Sequence, residues 1–347
     1  MQRRILGGTG ISVSELAFGA MMLGAWGNTD HADGIRMVHA ALDGGINFLD
    51  TADSYSDGEN ERIVGKALKG RRDDVVLATK GHFAMGPDAN QGGNSRRWLT
   101  RALEDSLRRL DTDHVDLYQI HRPDPATDIE ETLSALTDFV RAGKVRVVGS
   151  STFPAEQIVE AQWVAEKRGL VRFRTEQPPY SIFNRTIESA VLPTTQRYGM
   201  GVLTWGPLAS GWLSGRYDTA SDVDMTVGRK ALEAHKFDLA QPANVLKLAA
   251  VAELKKLAAE LGRPLTHVAL AFVRAHPGVT SAIIGPRTPE QLADLLAAAD
   301  FELDGDALDR IDAIVPPGTD LNNEDVAWPL PSLTDKALRR RRTTNGK

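Results

Sequence analysis

Short β-branched or apolar runs alternate eight times with stretches of helical periodicity, and this alternation constrains the chain more than any other feature. A parallel strand is covered on both faces, so it reads as a near-continuous apolar run, and the return to the next parallel strand needs a helical crossover. The runs fall at 16–19, 46–50, 75–80, 115–121, 145–150, 172–177, 201–205 and 281–285. Eight βα units can close a parallel sheet on itself, so the expected fold is α/β, a (β/α)8 TIM barrel. A length of 347 residues suits such a barrel with insertions, although length alone also suits two ordinary domains. No linker or composition shift divides the chain, which points to one barrel domain over 1–347, with a hairpin at 1–14, the barrel at 15–314 and a C-terminal loop and tail at 315–347.

The intervening segments carry the signals of helices that pack on the sheet. Trp98, Ala102, Leu103, Ser106, Leu107 and Leu110 share one helical face, as do Val245, Leu248, Ala249, Ala252 and Leu261. Gly143 follows one helix as a C-terminal stop, and Pro154 opens another. Ahead of the first strand, 3–6 and 12–14 flank Gly7-Gly8-Thr9-Gly10. No helix follows this glycine run directly, so it suits a β-hairpin that closes the barrel floor better than a phosphate loop. Three connections, 81–93, 206–241 and 315 onward with Trp328-Pro329-Leu330-Pro331, exceed plain barrel turns, and the first and third are expected to shape a pocket at the C-terminal face. Arg339-Arg340-Arg341-Arg342 reads as a solvated tail.

If the barrel closes, the C-terminal ends of its strands converge on one crevice, where barrel enzymes place their chemistry. Those ends carry Asp50, Lys80, His121, Ser150-Ser151, Gln177 and Trp205. Packing alone calls for none of these groups, and their convergence is hard to attribute to solvation. With Tyr55 beside them they form an acid–base set. A phenol donates its proton near neutrality only when its anion is stabilised. Lys80 supplies a positive charge for that purpose, Asp50 holds the lysine protonated, and neutral His121 can donate a hydrogen bond to a substrate oxygen that gains negative charge. These roles fit carbonyl reduction, or alcohol oxidation in reverse.

Composition narrows the competing classes. The formal charge of −5 argues against a general nucleic-acid binder. The absence of cysteine removes disulfides, thiolate metal sites and cysteine nucleophiles. A metal reading of Asp50, Asp53 and His121 competes, but HExxH is missing and histidines 31, 39, 82, 114, 235, 267 and 276 stand in no ligand spacing, so the expected metal complement is none. A Schiff-base role for Lys80 also competes, with Asp50 and Tyr55 favouring a charged amine instead. The N-terminus lacks a secretory signal and nowhere do eighteen apolar residues run together. The chain is therefore expected to be cytoplasmic, with no membrane partner, and the sequon at Asn184-Arg185-Thr186 reads as an accident.

The segments GINFLDTADSY (45–55), DVVLATK (74–80), DHVDLYQIHRPDP (113–125), GSSTF (149–153), EQPPYSIFNR (176–185), TWGPLASGWLSGRY (204–217) and IIGPRTPEQL (283–292) closely resemble the aldo-keto reductase superfamily, in order through nearly the whole barrel. The resemblance places the family's catalytic tetrad on Asp50, Tyr55, Lys80 and His121. It further implies an NADP (NADPH) cofactor laid across the barrel mouth without a Rossmann domain, and a small-molecule carbonyl or alcohol substrate. Gly19, Ala20, Met21 and Asp50 would border the cofactor, Ser151 and Gln177 would hold the nicotinamide carboxamide, and Trp205 would stack on the ring. Gly206, Pro207, Leu208, Ala209, Ser210 and Gly211 would follow the pyrophosphate and Arg216 would meet a phosphate. Gly285, Arg287, Gln291 and Asp294 would hold the adenosine end, with Arg287 on a 2′-phosphate. Thr152 stands where many relatives carry Asn, and Leu295 where Asn often meets adenine. The same resemblance extends to potassium-channel beta subunits, so an NADPH-binding regulatory subunit is the alternative. Those proteins carry Asn at the position of His121, and the histidine here favours catalysis.

Overall fold

All eight expected parallel strands are present in the computed structural model, which describes residues 1–217, 219, 222, 233–325 and 334–340. After a two-stranded hairpin, β1 (Arg3–Ile5) and β2 (Ser12–Ser14), the strands are β3 (Leu16–Gly19), β4 (Phe48–Asp50), β5 (Val76–Gly81), β6 (Val115–Ile120), β7 (Val145–Ser150), β8 (Thr175–Glu176), β9 (Gly201–Thr204) and β10 (Ser281–Ile284). They close in the order β10-β3-β4-β5-β6-β7-β8-β9, every neighbour parallel, and β10 pairs with both β3 and β9. The fold is a (β/α)8 TIM barrel with an N-terminal β-hairpin.

Period-two alternation sorts each strand into an inner and an outer set. Ala17, Phe48, Ala78, Leu117, Val147, Leu203 and Ile283, from seven strands, meet inside the barrel, where Leu6 and Val13 of the hairpin join them. The hairpin therefore forms the floor, as its position before β3 implies. Gly7 holds a left-handed φ of +56°, and a Cβ there would come within 2.7 Å of the Arg174 carbonyl and the Gly201 amide. A side chain at that position would push the hairpin off the barrel.

The outer residues of the same strands pack under the helices in one large core. Helix Arg96–Leu110 buries the face expected of it and is capped by Ser95, whose side chain accepts from the Trp98 amide. Helix Pro242–Glu260 does not bury the expected face. Its inner side is Asn244, Lys247, Val251, Leu254, Leu257 and Ala258, whereas Val245 is 48% exposed and Ala249 and Ala252 also face out. Apolar residues occur all round this helix, so periodicity leaves its rotation open, and buried polar partners set it instead. Lys247 Nζ pairs with Asp325 at 2.6 Å, and Asn244 Nδ2 donates to the carbonyls of His235 and Asp238 at 2.9 and 2.8 Å.

Residues 315–325 return across the barrel mouth and are pinned there. Arg185, in the sequon, donates to Asp312 at 2.7 Å and to the Val315 carbonyl at 2.6 Å, and Leu321 N donates to Phe183 O at 3.0 Å. Trp328-Pro329-Leu330-Pro331 and Arg341-Arg342 lie outside the described residues. Among the described residues no helix is long and apolar enough to cross a membrane.

Candidate active site

The alternation that fills the barrel also aims its chemistry. Asp50 lies two residues beyond inward-facing Phe48, Lys80 two beyond Ala78, His121 four beyond Leu117, Ser151 four beyond Val147 and Trp205 two beyond Leu203. All five therefore share the inner face at the C-terminal end. Ser150 does not, which corrects the expectation that both serines of the pair face the crevice. Its hydroxyl donates outward to Glu176, one strand away. Gln119, two residues beyond Leu117, belongs to the inner set and was not expected. It donates to Asp50 Oδ1 at 3.4 Å and accepts from Gln177 Nε2 at 3.3 Å.

Lys80 is fully buried, and its ammonium spends each of its three protons on a separate acceptor. These are Asp50 Oδ2 at 2.7 Å, the Thr51 carbonyl at 2.8 Å and the Tyr55 hydroxyl oxygen at 3.3 Å. Burial works against the charge, but Asp50 and then Tyr55 outweigh it, and the lysine pKa stands above its ordinary value. An ammonium so protonated and so fully engaged has no lone pair for imine formation. The second oxygen of Asp50 accepts from Gln177 Nε2 at 2.7 Å and from Gln119, so the carboxylate is held by three side chains.

Tyr55 sits beyond β4 in a turn that is strained and firmly anchored. Ser56, Asp57 and Gly58 follow it with φ of 49°, 53° and 80°. Such left-handed residues persist only where the surroundings hold them. Here Trp26 N donates to Ser56 Oγ at 3.2 Å, and fully buried Asn60 bonds Thr51 Oγ1 and the carbonyls of Ala20 and Leu23. Asn60 thus ties the Tyr55 turn to the turn after β3.

His121 faces Tyr55 edge to face, ring centroids 5.7 Å apart. Burial first, then Lys80, Arg122 and His82, hold its pKa well below the usual imidazole value, so the ring is neutral. Phe83, 38% exposed, packs on the other side of His121 at 4.7 Å, and Trp26, 37% exposed, flanks Tyr55 at 5.9 Å. The first long loop therefore does border the crevice, through Phe83. Trp212 does not: it is buried and stacks on Phe237 at 5.3 Å, a core role.

The remaining expected residues form an arc around the mouth. Gly19, Ala20 and Met21 end β3 and enter the following turn. Ser151 Oγ donates to the Gln177 carbonyl at 2.9 Å. Beyond half-buried Trp205, Gly206, Ala209, Ser210 and Gly211 hold φ of 70°, 48°, 57° and 105° in one short turn. The Ala209 and Gly211 amides are spent within the turn on the Gly206 and Leu208 carbonyls, both at 2.8 Å, whereas those of Gly206, Leu208 and Ser210 have no partner among the described residues, which suits an anion. Arg216 Nε meets only the Ser214 hydroxyl, at 3.1 Å, and no carboxylate pairs with Arg216 or Arg287 among the described residues. The Arg287 amide donates to Gln291 Oε1 at 2.9 Å, which shapes the turn after β10. Asp294 is already engaged by Thr266 Oγ1 and His267 Nε2, both at 2.9 Å. Thr152 takes φ of 60°, and Leu295 is buried in the core. Two arginines without a carboxylate partner among the described residues, and a turn with some of its amides open, fit a phosphorylated dinucleotide.

Two further acids lie behind the crevice. Asp53 has neither oxygen hydrogen-bonded, and burial, with Glu61 adding to it, raises its pKa to about 8. Glu176 is raised to about 7 by burial, against hydrogen bonds from Ser150 and the Phe153 amide. Neither belongs to a metal-binding group: among the described residues no three His, Cys, Asp or Glu are placed to hold a metal ion.

A family model described as the aldo/keto reductase family matches residues 15–316. An uncharacterised oxidoreductase of Bacillus subtilis, YrpG, is 40% identical over 341 residues, covering 94% of this chain and 100% of that protein. A probable voltage-gated potassium channel subunit beta of Oryza sativa is 39% identical over 323 residues, 91% of this chain and 97% of its own. The aldo-keto reductase YhdN of Bacillus subtilis is 35% identical over 320 residues, with coverage of 91% and 94%.

Proposed function

Because this chain belongs to the aldo-keto reductase family, we propose that it is an NADP-dependent oxidoreductase that interconverts small-molecule aldehydes or ketones and their alcohols, with Tyr55 as general acid. The observation that carries this reading is the direction of one hydrogen bond. An ammonium only donates, so the Tyr55 oxygen accepts from Lys80 and its own proton must point elsewhere. The open side is the crevice between Trp26, His121 and Phe83.

Each residue of the tetrad then has one task. When bound, the cofactor supplies a hydride to the carbonyl carbon. Tyr55 gives its proton to the substrate oxygen, and the Lys80 charge stabilises the phenolate left behind until solvent reprotonates it. Asp50 keeps Lys80 charged and in place. Neutral His121 donates a ring N–H to the same substrate oxygen as negative charge grows there. Ser151, Gln177 and Trp205 would orient the nicotinamide, Gly206–Gly211 and Arg216 would take the phosphates, and Arg287 with Gln291 the 2′-phosphate end. Gly19, Ala20, Met21 and Gly285 would border the cofactor where strand ends leave backbone open. Asp294 would act there through its hold on helix Leu265–Ala275. The proposed domain is one barrel over 1–347, in a cytoplasmic protein.

One experiment separates this reading from that of a regulatory, cofactor-binding subunit. The purified chain is given NADPH or NADH and a neutral aldehyde, and many turnovers per molecule are expected with NADPH preferred. Tyr55→Phe should lower kcat by roughly 10²- to 10⁴-fold, the worth of a positioned acid, while NADPH affinity by fluorescence stays nearly the same. Tight NADPH binding without turnover in the parent chain favours the regulatory subunit, and full activity in the variant removes Tyr55 from its role.

A further inference from the structure

We propose that Arg122 makes this crevice selective for carbonyl compounds bearing a carboxylate, which its guanidinium binds at the barrel mouth. The inference rests on the reductase reading and adds the substrate class to it. Arg122 directly follows His121. Its Nη1 donates to the His121 carbonyl at 2.6 Å and to the Ser151 hydroxyl at 3.5 Å, and its Cζ lies 5.6 Å from the Phe83 ring centroid. Both acceptors are neutral. Among the described residues its Nε and Nη2 have no hydrogen-bond partner and no carboxylate lies within ion-pair distance.

Four other arginines tucked into the protein are each met by a carboxylate, although half-buried Arg174 and Arg287 meet none among the described residues. Arg72 pairs with Asp116 at 2.8 Å, Arg109 with Glu61 at 2.7 Å, Arg185 with Glu188 at 2.9 Å and Arg274 with Glu15 at 3.3 Å. A guanidinium drawn out of water is costly unless an anion meets it. Arg122 alone of these five lacks one, and burial lowers its pKa against the pull of Tyr55 and Glu176. The two open donors, Nε and Nη2, are the pair that grips a carboxylate in parallel. Trp26 and Phe83 offer exposed ring surface on either side of Tyr55 and His121. A substrate with a small apolar body would lie between them, its carbonyl at Tyr55 and its carboxylate at Arg122. On a chain of net charge −5, a local cation favours the approach of such an anion.

The test compares 4-carboxybenzaldehyde with its methyl ester, which has the same carbonyl and no charge, in the parent chain, Arg122→Met and Arg122→Lys, each with NADPH. The parent is expected to favour the acid in kcat/KM. In Arg122→Met the acid-to-ester ratio should fall roughly ten- to hundredfold, the scale of a charged hydrogen-bonded pair, mainly through KM, and Arg122→Lys should restore part of it. Benzoate titrated onto the NADP-loaded chain should bind, and should weaken at least tenfold in Arg122→Met. A ratio that the methionine leaves unchanged overturns the inference, as does a loss of NADPH affinity as large as the loss on the acid, which would assign Arg122 to the cofactor. If neither aldehyde is reduced, the reductase reading fails, while benzoate binding still decides whether Arg122 holds a carboxylate.

Discussion

Asp50 and Asp53 stand three residues apart and are both sealed from water, at 3% and 0% exposure, yet their surroundings are opposite. Asp50 projects inward from the end of β4, where Lys80 and Gln177 each reach it at 2.7 Å. Asp53 follows the turn that leaves the strand. Its amide still donates to the Lys80 carbonyl at 3.1 Å, but its carboxyl group points behind β5, with the unpartnered Tyr118 hydroxyl close by Gly81. Burial first, then the charge of Glu61, outweigh the Arg109 and Lys80 charges and the Ser54 amide, so Asp53 keeps its proton up to about pH 8. Burial alone therefore does not decide whether a carboxyl group here serves as an anion. What separates the two is a directly bonded cation, which Asp50 has in Lys80 and Asp53 lacks among the described residues.

The most forceful way to break the contrast is to give Asp50 the situation of Asp53. Lys80→Met leaves a carboxylate buried without its cation, a change that typically costs ~3–5 kcal/mol, and it removes the charge that stabilises the Tyr55 phenolate. Turnover should fall by roughly 10²- to 10⁴-fold. Urea denaturation at pH 7 should show the lost stability. A variant as stable as the parent at pH 7 would mean that the 2.7 Å ion pair contributes nothing to holding the barrel mouth together.

The second test reverses the comparison. An aspartate in the unfolded chain ionises near pH 4, whereas Asp53 in the folded chain holds its proton until about pH 8. The folded state thus binds more protons across that window, and the stability this group contributes is complete at low pH and drains away as pH rises to 8. Asp53→Asn cannot ionise. Compared with the parent, it should gain on the order of a few kcal/mol between pH 4.5 and pH 8, read from denaturation curves at both values. A difference between the two chains that does not move with pH would show that Asp53 is ionised in the fold after all.

What separates these two acids was only half legible before folding. Strand number, strand order and the inward parity of Asp50, Lys80 and His121 all follow from runs of four to seven residues, because period-two alternation is local. Tyr55 lies outside any strand, so parity cannot aim it, and only its chemistry as a phenol near the strand end places it with the other three. Gln119 was missed although it obeys the same parity as Asp50, since it sits one inward step before the strand end. Asn60, Arg122 and the isolation of Asp53 were missed for another reason. Their surroundings come from several parts of the chain, as Ala20 and Leu23 do for Asn60, Ser151 for Arg122 and Glu61 and Tyr118 for Asp53, and only barrel closure brings these together. Helix Pro242–Glu260 shows the converse: its apolar residues run all the way round, and the rotation was set by Lys247 meeting Asp325.

Glu176 falls between the two aspartates and gives the finest test. It too is buried without a paired cation, but the Ser150 hydroxyl donates to one of its oxygens and the Phe153 amide to the other at 3.1 Å. These bonds favour the anion and hold the rise to about 7 rather than 8. A glutamate of the unfolded chain ionises near 4.5, so the stability tied to Glu176 is present below that pH and lost on the way to 7. Glu176→Gln preserves an acceptor for Ser150 and removes the titration. Its gain on the parent should be complete by about pH 7 and roughly half that of Asp53→Asn. Denaturation curves at half-unit steps from pH 4 to pH 9 resolve the two windows. If the glutamine variant gains as much as the asparagine variant and over the same range, two hydrogen-bond donors make no difference to a buried carboxyl group here, and the ranking of the three acids by their partners is wrong.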